Sequence, residues 1–68
     1  MKIKLSNLMG IHKVNIQSVH EGTGITRNTI SNLYHEKVTR LDFNTLERLC
    51  NYFECEVGDL IEIENHNY

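Results

Sequence analysis

The sequence predicts an all-α domain of five short helices, closed by a short extended tail. Three observations predict it. Apolar residues recur at i, i+3, i+4 and i+7 along most of the chain, the spacing of amphipathic helices. Asn15, Thr26 and Asp42 each stand just ahead of a periodic run, where a side-chain oxygen caps the first helical turn. Gly24 interrupts the pattern between two such runs, and no proline breaks it anywhere.

Each element follows in order. Leu5, Leu8, Met9 and His12 share one helical face, which predicts a first helix from about Lys2 to His12. Asn15 caps a second, with Ile16, Val19, His20 and Thr23 on one side. Gly24 ends it and supplies the positive φ that a sharp turn requires. Thr26 caps a third helix, whose inward stripe is Ile30, Leu33 and Tyr34. Asp42 caps a fourth, built on Leu46, Leu49, Cys50 and Phe53. Phe43 adds to its apolar face, and Leu41 packs on Leu46 as a hydrophobic staple. A brief fifth turn around Val57 to Leu60 closes the core. The tail I-E-I-E, Ile61 to Glu64, alternates like a strand; being short, it pairs only with an edge, that of a second copy among the options. The domain is therefore placed at residues 1–64, with a frayed tail at 65–68.

Sixty-eight residues suffice for one small domain and not for two. The longest uninterrupted apolar run is two residues, against the roughly 18 that cross a bilayer, so no membrane partner is expected. The amino terminus shows no signal-peptide pattern, which points to a cytoplasmic protein. Cys50 and Cys55 make no disulfide framework and read as free thiols used as small hydrophobes. The net charge of −2 hides a division. Residues 1–40 hold six basic side chains against two acidic, a net +4, and residues 41–68 hold one against seven, a net −6. One face therefore attracts phosphate and another faces away from it.

The densest information lies in T-G-I-T-R-N-T-I-S-N-L, Thr23 to Leu33: a glycine turn, a capping threonine, and a helix whose outer face is Arg, Asn, Ser and Asn. With T-G-I-T-R-N-T-I-S-N-L-Y come E-K (Glu36, Lys37), R-L-D-F-N-T-L-E-R-L-C (Arg40 to Cys50) and C-E-V-G-D-L (Cys55 to Leu60). This ordered set, spanning about Lys4 to Ile61, resembles the Cro/cI-like (XRE-type) helix-turn-helix family and its short single-domain bacterial transcriptional regulators. The resemblance implies a lambda-repressor-like DNA-binding fold, with the helix-turn-helix at helices 2 and 3. It also implies binding to operator DNA, commonly as a homodimer on inverted half-sites.

By that likeness the base-reading positions are Arg27, Asn28 and Asn32, with Thr29 and Ser31 beside them. The backbone-contacting positions are Asn15, Gln17 and Thr26, then Lys37, Thr39 and Arg40. The residue chemistry agrees. An arginine in the first turn of a recognition helix can bond guanine O6 and N7 bidentately, worth roughly 1–3 kcal/mol of discrimination. Asn28 and Asn32, four apart, share a face and suit adenine N6 and N7. The start of the second helix offers amides and a positive dipole end to a phosphate, and Lys37 and Arg40 neutralise others.

The sequence departs from the family at three places. Ile16 stands where many relatives carry a DNA-contacting glutamine, with Gln17 offset by one residue. His20 stands where the close approach of the two helices usually selects alanine, so its ring must turn toward an edge or splay the packing. Glu36 stands where many phage repressors place glycine; in a left-handed cap it costs roughly 1 kcal/mol.

Nothing predicts an enzyme. The chain has no phosphate-cradling glycine loop, no H-E-x-x-H and no activated nucleophile, and its cysteine spacing is not that of a zinc knuckle. No cofactor, metal or small-molecule substrate is expected. The expectation is a sequence-specific regulator, a repressor, inserting its third helix (about 27–35) into the major groove of double-stranded DNA, nucleoid-associated when bound. The alternative is a protein-interaction module of the same fold, antitoxin-like or an accessory of a mobile element. A weaker third is a nonspecific DNA-coating protein.

Overall fold

A computed structural model describes residues 2–38 and 40–63. The elements run β1 (Lys2–Ile3), α1 (Leu5–His12), α2 (Ile16–Thr23), α3 (Arg27–Tyr34), α4 (Phe43–Phe53), α5 (Val57–Leu60) and β2 (Ile61–Glu62). The five helices stand in the expected order. Asn15, Thr26 and Asp42 cap α2, α3 and α4, accepting from the N–H groups of Ser18, Thr29 and Thr45 at 2.8, 3.3 and 3.3 Å. Glu56 and Asp59 close a capping box on α5, with Glu56 N–H donating to Asp59 Oδ2 at 3.1 Å.

The two ends depart from expectation. The first helix begins at Leu5, and Lys2–Ile3 instead pairs antiparallel with Ile61–Glu62, with Lys2 opposite Glu62 and Ile3 opposite Ile61. The amide of Lys4 extends this pairing by donating to Leu60 C=O at 2.7 Å. The start of the I-E-I-E tail therefore finds its edge within the same chain. Alternation explains the choice: Ile3 is buried and Lys2 exposed, as a half-covered strand requires. Ile63 is left 78% exposed, while Glu64 and residues 65–68, where a frayed tail is expected, lie outside the described residues.

The core is built on Leu5, Val19, Ile30, Leu33, Leu49 and Leu60, each with under 2% of its surface accessible. Every helix contributes at least one of them, so none buries its apolar face alone. Three helices end on a non-glycine residue in the left-handed region: Lys13 (φ 55°), Glu36 (φ 55°) and Glu54 (φ 51°). Each sits in a Schellman-type cap. Val14, Lys37 and Cys55 N–H donate to the carbonyls of Met9, Asn32 and Cys50 at 3.0, 2.8 and 3.0 Å.

Two aromatic assignments change. Tyr34, expected inward, is 38% exposed, with its ring edge on His35. Phe43, expected on the apolar face of α4, is 88% exposed. It occupies the first residue of the helix, where the turn projects away from the buried stripe carried by Leu49 and Phe53. Phe43 and Val57 instead flank an open groove with Leu46 and Cys50 in its wall.

Candidate nucleic-acid interface

The turn between α2 and α3 is held from several directions. Gly24 adopts φ 78° and its N–H donates to His20 C=O at 2.9 Å. Thr23 Oγ1 donates to Val19 C=O at 2.6 Å and accepts from Ile25 N–H at 3.1 Å. Ile25 is buried and plugs the turn onto the core. His20 resolves the crowding expected at its position by turning its ring to the edge: Nδ1 lies 2.5 Å from Ile25 C=O. The ring thereby ties the end of α2 to the residue just ahead of the cap of α3.

Arg48 was not anticipated here. Its Nη1 donates to Thr23 C=O at 3.2 Å, bracing the turn from α4. The available signal was that Arg48 is the lone base in an otherwise acidic half. Glu36 also gains a role beyond its cap. Its Oε1 accepts from Ile3 N–H at 3.1 Å, anchoring the end of α3 to β1.

On this frame α3 presents Arg27 and Asn28 as exposed side chains in its first turn. Asn32 shares the side of Asn28 and is half-buried, as are Thr29 and Ser31. Thr29 is further engaged in the cap, where Thr26 Oγ1 donates to Thr29 Oγ1 at 2.9 Å. The expected reading positions thus divide by access: Arg27 and Asn28 are exposed, and the other three are half-buried. Gln17 and Arg27 come together across the two helices, with Arg27 Nη1 donating to Gln17 Oε1 at 2.5 Å. The partner is a neutral amide, so the guanidinium keeps its full charge and its remaining donors for a ligand.

Asn15, Thr26, Lys37 and Arg40 are all exposed. The side chain of Asn15 accepts from both the N–H and the Oγ of Ser18. Its amide NH2 group supplies donors that suit a phosphate oxygen, next to the positive end of α2. Thr39 lies outside the described residues. These exposed positions offer side-chain donors, a helix amino terminus and flexible cations.

No group of three or more His, Cys, Asp or Glu among the described residues is placed to hold a metal ion. No described helix is long and apolar enough to cross a membrane.

Comparison with known proteins agrees with this geometry. Residues 4–66 match the model of the Cro/C1-type HTH DNA-binding domain. The chain is 30% identical over 60 residues to YozG of Bacillus subtilis, described as an uncharacterised HTH-type transcriptional regulator; the alignment covers 88% of this chain and 71% of that protein. No solved structure matches significantly. With a helix-turn-helix in place and the family pattern running through nearly all of its length, this chain belongs to the Cro/C1-type helix-turn-helix DNA-binding family.

Proposed function

We propose that this protein is a sequence-specific transcriptional repressor of the bacterial cytoplasm, which reads an operator by laying α3 in the major groove. The observation that carries the reading is the first turn of α3: Arg27 and Asn28 are exposed, and Arg27 is already oriented by Gln17. Arg27 reads a guanine edge, and Asn28, with Asn32 lower on the same side, reads adenine. Thr29 and Ser31 contribute at the flanks. Asn15, Thr26, Lys37 and Arg40 hold the register on phosphates without reading sequence, and Gln17 acts through Arg27.

Two copies bind inverted half-sites about 34–36 Å apart, one turn of the duplex. Their contact is built on α5 and the tail, where Val57 and Ile63 are 48% and 78% exposed. Repression is by occupancy: the dimer covers a promoter and excludes polymerase. A protein-interaction reading draws support from the exposed Phe43 beside Val57, an apolar groove in the acidic half of the chain.

Selection of bound duplexes from a random DNA pool at physiological salt decides between them. An enriched inverted repeat is expected, and its spacing measures the dimer. Folded protein that enriches no sequence would move the function to a protein partner.

A further inference from the structure

DNA reading uses neither cysteine. Cys50 lies in α4 and Cys55 just beyond its end; both are half-buried free thiols. The helix terminus brings them together. Glu54 turns the chain through φ 51°, and Cys55 N–H donates to Cys50 C=O at 3.0 Å, the six-to-one bond of a Schellman cap. This cap commonly sets the side chains of its first and sixth residues against each other. Burial first, and then the neighbouring Cys50 sulfur, pushes the Cys55 thiol up.

Two thiols share this cap, and no group of three or more His, Cys, Asp or Glu among the described residues is placed to hold a metal ion. A pair of sulfur donors suits a soft centre that arrives with a ligand of its own. Solvent reaches the pair from two sides. Cys50 borders the groove of Phe43, Leu46 and Val57, and Cys55 borders a second groove with Ile11, His12 and Asp59.

We propose that Cys50 and Cys55 form a chelating dithiol site for a thiophilic ligand of the monosubstituted trivalent arsenical class. Two sulfur–arsenic bonds form and two arsenic–oxygen bonds break. The thiol protons leave with the hydroxyl groups as two waters, and neither sulfur nor arsenic changes oxidation state. The closed ring spans residues 51–54 and ties the last turns of α4 to the approach of α5. The site is independent of the DNA-binding reading.

The test uses the full chain with phenylarsonous acid as probe, in excess glutathione, followed by intact-mass spectrometry and thermal unfolding. One adduct per chain is expected, stable to the monothiol and removed by dithiothreitol. It should be absent from Cys50→Ser and Cys55→Ser, and the wild-type midpoint should rise because the native cap is the binding form. An adduct that glutathione strips, or that survives in either variant, overturns the proposal. So does a falling midpoint, which would mean that the probe takes the thiols in the unfolded chain. A readout on the wild type alone covers variants that fail to fold: one equivalent of probe should protect both thiols from maleimide, and protection of a single thiol refutes chelation.

Discussion

Replacing Gln17 with alanine removes the acceptor that orients Arg27. Both side chains are exposed, so the core is untouched and stability should stay within about 0.5 kcal/mol of wild type. The effect belongs to binding. An arginine carries roughly 2 kcal/mol of rotamer entropy, and immobilising such a side chain at an interface costs about 0.5–1.5 kcal/mol. A hydrogen bond made before DNA arrives removes that cost in advance. Gln17→Ala should therefore weaken operator binding by about 0.5–1.5 kcal/mol, roughly 2- to 12-fold.

The assay is a double-mutant cycle by fluorescence anisotropy on the selected duplex, at one fixed salt concentration. If Gln17 acts through Arg27, its removal costs nothing further in an Arg27→Ala background. Additive penalties, accompanied by a shallower salt dependence, would instead make Gln17 an independent phosphate contact and refute the clamp.

Three predictions concern stability. Gly22→Ala gains roughly 1 kcal/mol of helix propensity. However, its Cβ would lie 2.2 Å from the ring of Tyr52, which is itself packed edge-on against Phe53. Overpacking wins, and urea denaturation should show a net loss of about 1–2 kcal/mol; a stabilised variant would mean that the ring swings aside freely. Glu54→Gly relieves a left-handed residue and should stabilise by about 0.5–1 kcal/mol after the added freedom of the unfolded chain is subtracted, with a loss showing that the side chain matters. Asp42 is held below its ordinary value of 3.8, first by the Thr45 side chain and then by the Thr45 amide. Its cap contribution is complete above that value and fades as pH falls through the lowered one, because the unfolded state takes the proton first. Asp42→Asn, which keeps the capping oxygen, should flatten this part of the acid limb in denaturation curves, and an unchanged limb would assign it to other carboxylates.

The pattern of legible and hidden features has a physical basis. Caps and stripes are local, so Asn15, Thr26, Asp42 and the buried faces of α1, α3 and α4 could be read along the chain, apart from His12, Tyr34 and Phe43. Those three rings sit at helix ends, where the turn has fewer neighbours to cover it, and all three are exposed. The family resemblance raises a left-handed cap at Glu36 as one option, which the structure adopts, but nothing local in the sequence signals its bond to Ile3, 33 residues away.

What the sequence determined by itself is the order of helices, the glycine turn and the exposed polar face of α3, because each follows from spacing within about a dozen residues. Tertiary structure alone decided that Lys2–Ile3 leaves the first helix to pair with Ile61–Glu62, since a strand exists only by virtue of its partner. It also decided that Arg48 braces Thr23 and that Gln17 holds Arg27. These contacts join residues on different helices, and their distances are set by how the helices pack around Leu49, Ile30 and Val19.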